Sequence, residues 1–362
     1  MPYPGAAVTT MVSTGTIRIG DRVIGPGHPA FVIAEAGSNH NGDIRTAFAL
    51  IDAAAAAGAD AVKFQTFRAD ALVARTSHPI ATLTDEFGKF GKTVHEMFVK
   101  AEMPLAWLPK LRDRAGERGI MFLSTPFDEE SADTLAGLGM PAFKIASYEV
   151  VHLPLLRHTA RFGRPMLLST GMASLGEIED ALAAVRGEGN DQVAIFHCPI
   201  GYPVPPAHVN LAVMDTLAQT FGVPVGLSDH TTGVAIPIGA VARGATLIEK
   251  HFTLDNSQHG PDHGFAINPD ELAALVAGVR AVEQSVGDPR KVCLPSEQLH
   301  YVRGRRSLFV SADVAAGEVI RREQIVVLRP GVGLAPRYLD TIAGRPARRA
   351  MRAFEPITWD DV

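Results

Sequence analysis

Residues 60–67 read Asp60-Ala-Val-Lys-Phe-Gln-Thr-Phe67. In an extended strand successive side chains point to opposite faces, so Lys63 and Gln65 share one face and Val62 and Phe64 the other. A polar face backed by an apolar one fits a strand of a closed barrel, polar side chains turned to the lumen and apolar ones to a layer of helices. An inward lysine must be paired or solvated, because burying an unpaired charge is costly. Glu35, which closes the preceding apolar run, is the candidate partner.

Working outward, the same kind of run recurs at Phe31–Glu35, Ala61–Gln65, Ile120–Ser124, Ala142–Ser147, Pro165–Ser169, Val193–His197, Pro224–Ser228 and Thr246–His251. Each is apolar or β-branched enough for a buried strand and ends in polar residues. Helical stretches lie between them, among them Arg45–Ala57, Glu130–Leu138, Gly176–Val185 and Ala235–Ala242, and Ser174 with Glu177 forms the signature of a capping box. Strands alternating with helices over about 250 residues suit a (β/α)8 TIM barrel. A doubly wound open sheet is the rival α/β architecture, but it gathers its site at one switch point, whereas here nearly every run ends in polar residues. The pattern therefore predicts a barrel over residues 1–284, with a hairpin at Thr16–Gly25 capping its bottom and a long loop from Arg68 to about Val94 on its catalytic face.

Composition sets limits on function. The 362 residues are 46% hydrophobic and 20% charged, with net charge −5 and a pI near 6.2, an ordinary globular balance with no basic surface for nucleic acid or membrane. The two cysteines, Cys198 and Cys293, stand far apart and outside any CxxC pattern, which argues against disulfides and thiolate zinc. No apolar run spans a bilayer, and the first residues lack the features of an export leader, so the expected location is cytoplasmic.

Composition changes near residue 285. Gly287, Asp288, Pro289 and Pro295 mark a linker over 285–304, and after Lys291 lysine gives way to arginine. The tail, 305–362, contains an internal echo: Val314–Ile325 matches Met351–Val362 in register, with Glu318 over Glu355 and Ile320 over Ile357. A small pseudo-symmetric domain is expected, so small that it should pack on a partner surface.

Candidate chemistry gathers at the strand ends. Lys144, Ser147, Ser169 and Ser228, with Gly171 nearby, form a candidate phosphate cradle. His230 and His251 end consecutive strands and could share one metal ion, with Asp262 as a base or an outer ligand; two imidazoles with oxygen ligands suit Mn²⁺ better than structural zinc. His40, His259 and His263 also lie near the rim and leave the ligand assignment open.

Taken together, AEAGSNHNGD (34–43), VKFQTF (62–67), STPFD (124–128), FKIAS (143–147), LSTGMAS (168–174), GLSDHT (226–231), IEKHFTLD (248–255) and GPDH (260–263) resemble the N-acetylneuraminate (sialic acid) synthase family, which includes legionaminic and pseudaminic acid synthases. RPGVG (329–333) lies in a tail resembling that family's antifreeze-like (SAF) domain. The resemblance implies condensation of phosphoenolpyruvate with an open-chain, N-acetylated aldose such as N-acetylmannosamine or a related hexose. It gives Lys144, Ser147, Ser169 and Ser228 the phosphate, and Lys63 and Gln65 the carboxylate and sugar orientation, with Thr125 nearby. Tyr202 joins the substrate-binding set, His230 and His251 hold Mn²⁺ (or Mg²⁺ or Co²⁺), and Glu35 and Asp262 manage charge and protons. It also implies a domain-swapped homodimer in which Arg329 contacts the acyl group in the partner's barrel; an arginine simply solvated in an arginine-rich tail is the other reading.

Two stretches depart from the family pattern. Pro199 and Ile200 stand where polar groups near the phosphoenolpyruvate end are usual, and Ala266 stands where a serine is common. Each lost hydrogen bond to a charged group costs about 1.5–3 kcal/mol, enough to retune a site without abolishing it. The competing readings are a metal-dependent aldolase or another ulosonate synthase with a different aldehyde, and a non-catalytic barrel serving as a binding module.

Overall fold

The computed structural model describes residues 15–84 and 86–362, with the side chains of Glu86 and Phe87 not described. The leader reading concerned residues 1–14 and lies outside the described residues. The chain divides into two compact units, Met1–Gly287 and Asp288–Val362.

In the first unit a short antiparallel hairpin, β1 (Ile17–Ile19) and β2 (Arg22–Ile24), pairs Ile17 with Ile24. Eight parallel strands follow: β3 (Phe31–Gly37), β4 (Ala61–Thr66), β5 (Met121–Pro126), β6 (Phe143–Ile145), β7 (Met166–Ser169), β8 (Val193–His197), β9 (Val225–Asp229) and β10 (Leu247–His251). Their order is β5-β4-β3-β10-β9-β8-β7-β6, and β5 and β6 lie side by side to bring the sheet round into a barrel. A helix follows each strand, from Ile44–Ala56 after β3 to Pro269–Val286 after β10. The Ser174–Glu177 capping box is present and opens the helix Leu175–Arg186.

The alternation read from residues 60–67 sorts the core into two layers. Val62 and Phe64 join Val32, Ala34, Ile195 and Leu227 in the layer between strands and helices. The opposite parity fills the lumen: Phe31, Ile33, Ala61, Leu123, Ala142, Leu167, Phe196 and Leu247 pack with Ile17, Ile19 and Ile24 of the hairpin, which plugs the bottom. An apolar floor thus lies under the polar residues one or two positions further along each strand. Gly226 belongs to this inner set, and a side chain there would collide with the Leu247 carbonyl.

Two expectations change in detail. The run Ala142–Ser147 yields only three strand residues, since Ser147–Glu149 turns into a 3-10 helix in which Ser147 Oγ accepts the Gly171 N–H at 3.0 Å. The loop after Arg68 contains short helical turns at Ala69–Leu72 and Pro79–Ala81 before the helix Val94–Ala101.

The second unit has its own core, including Leu308, Val310, Val314, Ile320, Ile342, Met351 and Ile357. Strands β11 (Ser307–Val310) and β12 (Ile325–Leu328) pair antiparallel. The echoed halves meet about a local two-fold: Val314 and Met351 exchange both backbone hydrogen bonds, each 2.9 Å. Equivalent caps repeat, Glu318 accepting from the Ala315 N–H (3.0 Å) and Glu355 from the Arg352 N–H (2.8 Å).

Candidate active site

Four charged side chains rise from the lumen floor. Lys63 Nζ on β4 lies 2.6 Å from Glu35 Oε2 on β3 and donates to Thr125 Oγ1 on β5 at 3.1 Å. Gln65 Nε2 donates to the other Glu35 oxygen at 2.9 Å. From the far side, Lys144 Nζ on β6 reaches Glu249 Oε1 on β10 at 2.8 Å and lies over the Phe196 ring. Glu249 also accepts from Ser228 Oγ at 3.2 Å and stands 3.7 Å from Lys63, so one carboxylate ties both lysines together. All four charged groups are buried. Burial works against charging Glu249 and Lys63, but the lysines hold the Glu249 carboxyl below its usual range, and Glu249 and Glu35 together raise Lys63.

This arrangement sets both lysines against carboxylates inside the lumen and leaves donors over for a further anion. Ser169 Oγ and Glu249 Oε2 are buried without a protein hydrogen-bond partner. Buried polar atoms are seldom left unpaired, and a bound ion or water is one explanation of an exception. With Lys144, Ser147 and Ser228, Ser169 is suited to phosphate oxygens, while the Glu249 lone pairs would repel them.

A second pole lies beside the first. The His230 and His251 rings stand 5.1 Å apart. His230 Nδ1 is 2.8 Å from the Pro199 carbonyl, which can only accept, so Nδ1 carries the hydrogen and Nε2 keeps its lone pair. Burial pushes the His230 pKa down to about 4, with His251 adding to the shift, and keeps that imidazole neutral. His251 Nδ1 lies 3.2 Å from Asp262 Oδ2; burial opposes charging of this ring, but Asp262 outweighs it and raises its pKa. His230, held at Nδ1 by a backbone carbonyl, has the second-shell pattern of a metal-ligating histidine, and the Asp262 carboxylate stands close to Nδ1 of His251. Among the described residues no three His, Cys, Asp or Glu side chains are grouped to hold an ion. The donors present therefore fit a divalent cation that takes its remaining ligands from solvent or substrate oxygens. Tyr202 packs against His230 (ring centroids 4.8 Å), and burial pushes its hydroxyl pKa up.

The other rim histidines are engaged elsewhere. His40 Nδ1 accepts the Gly42 N–H and its ring packs on Trp107. His263 bonds Thr253 Oγ1 at 2.6 Å, and His259 packs on Phe90. A cavity of about 380 Å³ is lined by Ser38, Asn41, Phe90, Lys100, His259 and Pro261, the last of these the neighbour of Asp262 in the chain. The departures from the expected pattern also have structural roles: Pro199 supplies the carbonyl that orients His230, and Ile200 packs so closely over Gly171 that a side chain there would be 2.7 Å from Ile200 Cγ1.

Twelve of the thirteen site residues read from the sequence thus belong to the barrel mouth, and Arg329, exposed just after β12, belongs to the second unit. Two buried carboxyls were missed. Glu249 is marked in the sequence only by sharing parity with His251. Glu149, whose pKa burial pushes up to about 7, follows the end of β6 in a turn that carries no periodic signal.

Two ionic clusters at the C-terminal end of a parallel barrel are matched by the chain's likeness to known proteins. The NeuB family matches residues 50–291 and the SAF domain residues 305–362. The chain belongs to the NeuB family. The spore coat polysaccharide biosynthesis protein SpsE of Bacillus subtilis is 42% identical over 95% of this chain and 96% of its own, and its crystal structure superposes with a TM-score of 0.66. The N,N'-diacetyllegionaminic acid synthase of Legionella pneumophila is 40% identical over 92% of this chain and 94% of its own. The structure of N-acetylneuraminic acid (sialic acid) synthetase from Leptospira borgpetersenii is 33% identical, covers 79% of this chain and 95% of that one, and has a TM-score of 0.69. With synthases at this identity along nearly its whole length, this NeuB-family chain is an enzyme of the transferase type. Among its described residues no helix is long and apolar enough to cross a membrane.

Proposed function

We propose that the chain is a cytoplasmic nonulosonic acid synthase that condenses phosphoenolpyruvate with an open-chain, N-acetylated aldose. The observation that carries this reading is the pairing of two buried lysines and an unpartnered Ser169 hydroxyl with two imidazoles whose rings stand 5.1 Å apart. An anion cradle beside a Lewis-acid site is what coupling an enol phosphate to an aldehyde requires.

In this reading Lys144, Ser147, Ser169 and Ser228 hold the phosphate, and Lys63 holds the carboxylate with Gln65 and Thr125 beside it. His230 and His251 would hold Mn²⁺, or Mg²⁺ or Co²⁺, which supplies Lewis acidity to the aldehyde oxygen of the acceptor. Phosphoenolpyruvate C3 forms the new bond to the aldehyde carbon, and C2 becomes an oxocarbenium. Glu35, fixed by Lys63 and Gln65, faces that developing positive charge. Water adds at C2, and C–O cleavage of the tetrahedral intermediate releases phosphate. Asp262 and Tyr202 contact the acceptor, whose body takes the cavity lined in part by Pro261. Arg329 from a second copy of the chain would contact the acyl group, in a domain-swapped dimer.

The experiment supplies phosphoenolpyruvate, Mn²⁺ and a panel of N-acetylated and plain aldoses, with phosphate release as the readout. One phosphate per product separates this reaction from a pyruvate aldolase. Absence of phosphate release with every aldose would overturn the reading.

A further inference from the structure

The hydrogen-bonded pairing of β9 with β10 ends at Asp229 opposite Lys250, one residue short of both imidazoles. His251 is still held on its other side, where it pairs with Glu35 of β3. His230 has left the strand, since β9 stops at Asp229. Its carbonyl accepts the Val204 N–H at 3.0 Å.

Behind the two histidines, on the face turned away from the lumen, a buried ion pair bridges the strand ends. Lys250 Nζ lies 2.6 Å from Asp229 Oδ2 and also donates to the Thr231 carbonyl. Asp229 accepts from the Thr231 N–H and hydroxyl, each at 3.0 Å. Both charged side chains are 1% exposed. The turn Asp229–Thr231, which carries His230, is thereby fastened to the strand that carries His251.

Stability alone does not account for charges here. A buried ion pair is expensive to desolvate, and a well-packed apolar pair of similar volume often stabilises a protein as much or more. What the apolar pair lacks is direction, and direction is what the backbone ladder stops supplying at this point. We propose that the Lys250–Asp229 pair is a positioning device that sets the placement of His230 relative to His251, and so the affinity of the site for a divalent cation. The inference rests on the metal reading given above.

The test uses the full-length protein freed of metal, with Mn²⁺ binding followed by electron paramagnetic resonance, and imidazole ¹⁵N spectra recorded without metal. The double variant Asp229→Leu/Lys250→Met should stay folded, with a melting temperature near that of the parent, yet bind Mn²⁺ about 10- to 100-fold more weakly, the range typical of lost outer-shell partners. Lys250→Arg, which keeps a cation facing Asp229, should bind Mn²⁺ more tightly than the double variant. In the ¹⁵N spectra the parent should show His230 as the single Nδ1–H tautomer, and the double variant a mixture. A folded double variant with parental Mn²⁺ affinity and an unchanged His230 tautomer would overturn the proposal. If the parent itself binds no Mn²⁺, the metal reading fails separately, and an unchanged tautomer alone then overturns the positioning role. If the double variant does not fold, Asp229→Asn, which removes the charge facing Lys250, is measured in the same two ways.

Discussion

Glu249 Oε1 and Lys144 Nζ meet 2.8 Å apart across the lumen, from strands four places apart in a barrel of eight. Lys63, paired with Glu35, stands 3.7 Å from the same carboxylate, so Glu249 is a counter-charge to both lumen lysines.

Removing that charge should therefore expose its role through an anion. Glu249→Gln leaves Lys144 unpaired in a buried site, and breaking such a pair costs about 3–5 kcal/mol. The variant should melt well below the parent, and phosphoenolpyruvate should raise its melting temperature more than it raises the parent's. Equal shifts on ligand addition would mean that the carboxylate does not compete with substrate.

The two imidazoles should be indispensable to metal-dependent turnover and dispensable to the fold. His230→Ala and His251→Ala are expected to lower Mn²⁺-dependent phosphate release by about 100-fold or more, since each deletes a proposed ligand and not merely its outer-shell support. Circular dichroism should remain parental. Wild-type rates in either variant would remove that residue from the metal site.

Glu149 gives a pH dependence with a definite sign. Burial raises its pKa from 4.5 to about 7, only partly offset by its own backbone N–H and by Lys144. The folded chain thus holds this proton more tightly than the unfolded chain does. The contribution is fully present below about pH 4.5 and is lost as pH rises toward 7, by up to about 3 kcal/mol at about 1.4 kcal/mol per pH unit. Glu149→Gln should then be more stable than the parent at pH 8 and similar to it near pH 4.5. Denaturant unfolding at the two pH values measures this; an equal difference at both would show that the carboxyl does not titrate in that window.

Arg329→Ala should weaken N-acylated acceptors selectively. Loss of a charged hydrogen bond of about 1.5–3 kcal/mol corresponds to roughly 10- to 100-fold in kcat/KM. Plain aldoses should be unaffected. Unchanged selectivity between acylated and plain sugars would assign Arg329 to the solvated surface.

The sequence alone determined the barrel, because the lumen and helix layers demand opposite polarity at alternate positions. Residues 60–67 carry that rule without reference to anything distant, and Lys63 and Phe64 fall on the faces it assigns. The echo at 314–325 and 351–362 was equally legible, because equivalent residues make equivalent caps and pair with each other. Partners across the lumen were decided only by the tertiary structure. Parity puts Glu249 inside, but ring closure brings it to Lys144, 105 residues earlier in the chain. The surroundings of the five rim histidines are likewise visible only in three dimensions. His40 accepts the Gly42 N–H and His263 bonds Thr253, whereas His230 is held at Nδ1 by the Pro199 carbonyl and His251 Nδ1 lies 3.2 Å from Asp262. A side chain's hydrogen-bond partner depends on which loops fold over it, and alternation along one strand carries no record of that.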